Sequence, residues 1–181
     1  MPNWCSNSLL LSHDDKSLVD DLEKRLREHE GEQFFNLLRP RPADQEENWY
    51  EWNCENWGTK WDANLTVDVE FESMERINDN TLSFTFDTAW SPPIALYDYI
   101  SDLGWNVEAL YYEFGAGFLG KYSDGSDAYW EVDFGNENFE EFVSELPEDL
   151  VDYSGIQSEY ESYKEWQEDE EEIDNDPNDE T

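Results

Sequence analysis

Asn78-Asp-Asn-Thr-Leu-Ser-Phe-Thr-Phe-Asp-Thr-Ala-Trp-Ser-Pro-Pro-Ile-Ala-Leu-Tyr-Asp-Tyr-Ile-Ser-Asp-Leu-Gly104 changes its hydrophobic period once along its length. Leu82, Phe84 and Phe86 alternate with polar residues, the period of a half-buried strand. After Ser91-Pro92-Pro93 the period lengthens, and Ile94, Leu96, Tyr97, Ile100 and Leu103 fall at helical spacing before Gly104 stops the run. Serine as cap with proline at the first helical position predicts where that helix begins. Upstream, Leu65, Val67, Val69 and Phe71 alternate with Thr66, Asp68 and Glu70, so the turn Asn78-Asp79-Asn80 predicts a hairpin.

The same reading extends in both directions. Asn7 to Ser12 reads as a strand. Asp14 and Asp15 then stand where a cap and first-turn acids belong, before Leu18, Leu22 and Leu26 at helical spacing. Lys24, Arg25 and Arg27 suit the negative end of that helix, and Gly31 is its expected close. Val107 to Phe114 reads as another strand. The order strand, helix, strand, strand, helix, strand is the ferredoxin-like plan. It predicts an α+β fold whose antiparallel sheet carries two helices on one face. Ser126 to Phe134 adds a strand after Asp124-Gly125, and Phe139, Phe142, Val143 and Leu146 add a helix ended by Pro147. The expected organisation is a ferredoxin-like domain over 1–135 with a Trp-rich insertion at 43–63. An acidic helical extension follows over 136–167, where Ile156, Tyr160, Tyr163 and Gln167 share one helical face, and then a disordered acidic tail over 168–181.

Charge is the extreme property. The 181 residues hold 47 acidic and 10 basic side chains, a formal net charge of −37. Residues 77–181 carry only Lys121 and Lys164 against 29 acids. Nine Trp, ten Tyr and ten Phe nevertheless supply large rings enough for a core, so the chain is expected to fold beneath an unusual surface. So negative a chain is not expected to bind nucleic acid or anionic membrane directly, since both are held through Lys and Arg. The longest apolar run, Leu9-Leu10-Leu11, is too short to span a bilayer, and two cysteines are too few for a disulfide scaffold; a cytoplasmic setting is expected.

No sequence motif names a reaction. Cys5, Cys54, His13 and His29 match a zinc site by count, but no pair has ligand spacing, so no metal or other cofactor is expected. Gly115-Ala-Gly-Phe-Leu-Gly120 follows a strand yet leads into another strand, without the helix N-terminus a pyrophosphate needs. Trp49, Trp52, Trp57 and Trp61, interleaved with amides and carboxylates, read in two ways: an aromatic groove for a sugar or peptide, or rings that close the sheet's open face. Glu137, Glu140, Glu141, Glu145, Glu148, Asp149, Glu159, Glu161 and Glu165 form the candidate acidic interaction surface.

Four segments carry a family likeness: Met1-Pro-Asn-Trp-Cys-Ser-Asn7, Trp57-Gly-Thr-Lys-Trp-Asp-Ala63, Phe86-Asp-Thr-Ala-Trp-Ser-Pro-Pro93 and Tyr112-Glu-Phe-Gly-Ala-Gly-Phe118. In this order, over residues 1–135, they resemble the YubB ferredoxin-like family of small phage- and plasmid-borne proteins. The resemblance implies a ferredoxin-like domain and a mobile-element origin, and it brings no catalytic residues. Its motif positions here are Trp4, Cys5, Asn7, Lys60, Asp62, Trp90, Ser91 and Pro92. Trp4 and Trp61 are expected in the core, and Lys60 beside a carboxylate.

Together these readings predict a non-enzymatic accessory protein whose acidic surface binds a basic host protein. A surface of dense carboxylates can stand in for nucleic acid against a defence or restriction factor, because duplex DNA carries one charge per roughly 1.7 Å of axis. Two alternatives remain open at this point. One is a small-ligand or carbohydrate site in the Trp-rich loop, with hydrolysis as its activity; the other is an acidic protein adapted to a salty cytoplasm.

Overall fold

The computed structural model describes residues 3–30, 33–65 and 73–174, with side chains through Gln167. These described residues form a mixed α+β architecture with seven α-helices and a six-stranded antiparallel sheet. The chain divides into two compact units, Met1–Glu131 and Val132–Thr181. No helix among the described residues is long and apolar enough to cross a membrane.

In the first unit, β1 (Trp4–Ser12) leads into α1 (Lys16–Glu28), α2 (Phe34–Leu38) and α3 (Trp49–Asn56). The hairpin β2 (Met74–Asn78) and β3 (Thr81–Ala89) follows, then α4 (Ile94–Asp102), β4 (Asn106–Glu113), β5 (Phe118–Ser123) and β6 (Ser126–Glu131). Along the sheet the strands run β2-β3-β1-β4-β5-β6. Two strands thus lie beyond β4, and the order differs from that of a simple four-stranded ferredoxin-like sheet.

The alternation that decided the strands places one residue in two against the helices. Leu9 and Leu11 of β1, Leu82, Phe84 and Phe86 of β3, and Val107 and Ala109 of β4 are buried with Val19, Leu22 and Leu26 of α1 and Leu96, Tyr97 and Ile100 of α4. Each Val, Leu, Ile or Phe side chain among them contributes about 1.5–3 kcal/mol by leaving water. Asp15 caps α1 by accepting from the Ser17 N–H at 2.9 Å. Gly104, at φ +92°, takes the left-handed position after α4 that favours glycine.

Several expectations change. The stretch 43–63, read as irregular, contains α3, which turns Asn53 into the interior and leaves Trp49 at the surface. The cap of α4 is Pro93, and Ser91 instead donates from Oγ to the Gly58 carbonyl at 2.8 Å. The main-chain N–H of Leu96 reaches the Trp57 carbonyl at 3.3 Å, so a loop carbonyl serves this helix end where no side chain does. Apart from buried Leu65, the alternating run at 65–71 lies outside the described residues, as does Gly31.

The second unit contains α5 (Phe139–Glu145), α6 (Glu148–Ser154) and α7 (Ile156–Asp174). Its rings pack among themselves: Phe139 stacks on Tyr160 at 3.9 Å, and Phe134 lies 5.7 Å from Tyr163. The division falls at 131/132 rather than after 135, and Phe134 packs on Phe139, Tyr160 and Tyr163 of this cluster. The tail expected to be disordered from 168 is helical as far as Asp174, consistent with glutamate being a good helix former. Residues 175–181 lie outside the described residues.

Candidate functional site: an exposed tryptophan cluster at one end of the sheet

The four segments singled out in the sequence meet at one end of the first unit. Strand pairing sets Trp4 opposite Ala89, so the start of β1 and the end of β3 are neighbours. The Trp90 N–H donates to the Asn3 carbonyl at 3.0 Å. Asn3 in turn donates from Nδ2 to the Glu113 carboxylate at 3.3 Å, and that carboxylate also accepts from the backbone N–H groups of Gly115 and Ala116. One buried glutamate thereby ties the N-terminal segment to the turn between β4 and β5. The loop Trp57–Ala63 joins through Thr59, whose Oγ1 donates to the Ala89 carbonyl at 3.0 Å.

Beneath these contacts, Asn7 locks β1 to β3. Its Nδ2 donates to the Cys5 carbonyl at 2.8 Å and to Thr88 Oγ1 at 2.9 Å, and Thr88 Oγ1 donates onward to the Ser91 carbonyl at 2.8 Å. Among the described residues, Asn7 Oδ1 is buried without a hydrogen-bond partner. Cys5 lies beside Asn7 in the interior, and burial pushes its thiol up to about 12, so it is an inert apolar group. Pro92 is buried as well. Asp62 is pushed up to about 6 by burial, against the opposing effect of hydrogen bonds from the Phe35 and Asn36 N–H groups at 2.7 and 3.1 Å. Its carboxylate fixes the loop to the start of α2.

Three motif tryptophans face outward instead. Trp4, Trp61 and Trp90 are 51, 37 and 45% exposed, which corrects the expectation that Trp4 and Trp61 are core rings. Even-numbered residues of β1 lie on the sheet face away from the helices, and Trp61, on the loop after α3, meets the Trp4 ring. Trp61 lies 5.9 Å from Trp4 and 6.4 Å from Trp90, near-parallel to the latter. Among the described residues, Lys60 lies against these rings and meets no carboxylate. Its Nζ is 4.5 Å from the Trp61 centroid, 5.0 Å from Trp90 and 5.8 Å from Tyr50. Trp90 is held at φ +70°, a left-handed conformation that costs a bulky residue about 1–2 kcal/mol.

The candidate groove does not assemble. Trp57, only 2% exposed, donates from Nε1 to the Arg39 carbonyl and packs edge-on against Phe35. Trp52 packs on it at 5.5 Å as part of the same core. Trp49 is exposed and lines a shallow depression of about 460 Å³ with Tyr50, Cys54, Glu51 and Glu55. Trp61 belongs to the outer cluster. Sequence reasoning assigned Trp4 and Trp90 to a structural motif, although the β1 alternation already placed Trp4 opposite in phase to Leu9 and Leu11.

The candidate acidic residues are all exposed: Glu137, the α5 residues Glu140, Glu141 and Glu145, the α6 residues Glu148 and Asp149, and the α7 residues Glu159, Glu161 and Glu165. The single basic residue of the second unit, Lys164, lies over the Tyr160 ring at 4.2 Å. Among the described residues, no three or more His, Cys, Asp or Glu side chains gather as metal ligands would. Comparison of the chain with protein-family models, curated proteins and solved structures finds no match.

Proposed function

We propose that the protein is a non-enzymatic accessory protein that binds a basic partner protein through acidic surface, in the manner of a nucleic-acid decoy in a host cytoplasm. The observation that carries this reading is the second unit, where eight exposed carboxylates lie on three helices, Glu137 is exposed just ahead of the first, and the only cation rests on an aromatic ring. Glu161 and Glu165 are four residues apart on α7, a like-charge spacing that costs a helix a few tenths of a kcal/mol. Helix stability alone would not place them there, whereas attraction of a basic partner would. At a 1.5 Å rise per residue, the 19 residues of α7 extend about 28 Å, the reach of many phosphates along a duplex.

The fold reading that goes with it is a ferredoxin-like core extended by two strands. Its support is the antiparallel run β2-β3-β1-β4, with α1 and α4 contributing to one core on one sheet face. The resemblance of the four motifs supports a phage or plasmid origin.

The test is capture from host lysate at about 0.1 M salt, repeated near 0.5 M, where screening shortens electrostatic reach. A nucleic-acid-binding protein should be retained at low salt, released at high salt and displaced by added DNA. The variant E140K/E141K/E145K/E159K/E161K should lose it; equal capture by that variant at physiological salt refutes the reading. A second reading, a small-ligand site, is favoured by the depression beside Trp49 and Tyr50. Titration of tryptophan emission with oligosaccharides tests it, and an unchanged emission rules it out.

A further inference from the structure

The outward-facing tryptophans are unexplained by folding. An indole buries roughly 150–250 Å² when it enters a core, yet Trp4 and Trp90 keep about half of their surface in water. Trp90 does so in a backbone conformation that is itself unfavourable. Strain held in place by surrounding contacts is a mark of sites that must present a side chain in one orientation. Here the surrounding contacts are the Trp90–Asn3 bond, the Thr88–Ser91 bond and the Thr59–Ala89 bond.

The chemistry of the cluster narrows what it can bind. A sugar is recognised by stacking together with convergent polar groups that read its hydroxyls. The polar side chains at this end are engaged within the protein: Asn3 with Glu113, Glu113 with two backbone N–H groups, Ser91 with Gly58, and Asp62 with α2. Ring faces are what remain, and the electrostatics of a ring face favours a cation. The protein demonstrates the preference itself, since Lys60 lodges its ammonium among Trp61, Trp90 and Tyr50. Asp87 is exposed on the same sheet face as Trp4, two register positions away as its diagonal neighbour, and its Oδ1 accepts from Ser6 Oγ at 2.9 Å, leaving carboxylate oxygen toward solvent. A planar cation that stacks on indole and pairs with carboxylate is a guanidinium.

We propose that the exposed surfaces of Trp4 and Trp90, beside Asp87, are a docking site for arginine side chains of the basic partner. The proposal rests on the basic-partner reading and assigns that partner its chemistry: arginine rather than lysine, presented singly or in a short run. Tryptophan and arginine are the residues that most often dominate the energetics of protein interfaces. The general negative field draws any basic protein inward; the rings then discriminate in favour of the one whose arginines reach this end of the sheet.

The probe is a nona-arginine peptide, with nona-lysine for comparison, titrated calorimetrically into the 181-residue chain at about 0.1 M salt. Wild type should bind nona-arginine more tightly than nona-lysine, and W4A/W90A should weaken nona-arginine about 3- to 30-fold while changing nona-lysine less. Circular dichroism checks that the variant folds. Independently of any variant's folding, the Trp4 and Trp90 indole Nε1–H resonances of the wild type should shift with nona-arginine while that of buried Trp57 does not. Equal nona-arginine affinity in wild type and W4A/W90A overturns the stacking site. If E140K/E141K/E145K/E159K/E161K still weakens binding in that case, the acidic-surface reading survives alone; if it does not, both fall. Binding of cellohexaose that depends on Trp4 and Trp90, with no arginine preference, also overturns the proposal.

Discussion

Replacing Gly120 by alanine tests the packing of the sheet interior that carries the site. Gly120 lies directly across from Tyr111 on the neighbouring strand, and the Tyr111 ring covers it. A Cβ built at Gly120 would stand 2.2 Å from Tyr111 Cζ and Oη and 2.6 Å from Cε2, more than 1 Å inside ordinary contact. The ring is fully buried and its Oη donates to Asp127 at 2.7 Å, so it cannot move without losing that bond. Overpacking costs about 1–3 kcal/mol, and a hydrogen bond to a charged group contributes about 1.5–3 kcal/mol. G120A should therefore destabilise by about 3–5 kcal/mol in urea unfolding followed by circular dichroism. Leucine at 111 ends short of the clashing atoms, so on a Y111L background G120A should cost under about 1 kcal/mol. The double-mutant cycle then returns a coupling of about 2–4 kcal/mol. Additive effects within about 0.5 kcal/mol would refute the steric account.

Three further outcomes follow from the site. Asp62 has its folded pKa raised, so its ionised form opposes folding: the penalty is absent below pH 4, grows between 4 and 6 and is complete near 7. Relative to D62N, wild type should gain about 1 kcal/mol on going from pH 7 to pH 5, measured by urea unfolding at both; a constant difference would contradict the burial argument. W90G should be more stable than W90A by about 1 kcal/mol, the reverse of the usual order, because only glycine accepts φ +70° freely. A thiol reagent at pH 8 should label half-buried Cys54 in the native protein and spare Cys5, with both reacting after denaturation; rapid native labelling of Cys5 would mean that this end of the sheet opens.

The parts of the fold legible in the sequence are those in which a single face decides burial. Leu82, Phe84 and Phe86 announce β3, and Leu18, Leu22 and Leu26 announce α1; two of those three leucines are buried. The boundaries were legible where a local cap sets them, as at Asp15 and Gly104, and not where a distant group does. The cap at Ser91-Pro92-Pro93 was misplaced because the Trp57 carbonyl, some forty residues away in the chain, serves the helix end. α3 was illegible for a related reason. Trp49, Tyr50, Trp52 and Trp57 lack a clean apolar stripe, and the segment is held by Arg39 to Asn56 and Arg41 to Asn53, contacts no local pattern encodes.

The candidate site was half legible for a physical reason that bears on its role. Apart from Lys60, which lies among the rings, the motif residues divide into two groups. Cys5, Asn7, Asp62, Ser91 and Pro92 are engaged inside, and each can be assigned to a strand lock, a loop tether or a core position. Trp4, Trp61 and Trp90 complete no core and satisfy no buried group, yet the first group holds them together and holds Trp90 in strain. A mark of structure and a mark of binding look identical in a sequence when one framework carries both. Burial separates them: substitution within the first group should lower stability and scramble the cluster together. Substitution of Trp4 should leave stability nearly unchanged, within about 0.5–1 kcal/mol, and remove arginine selectivity alone.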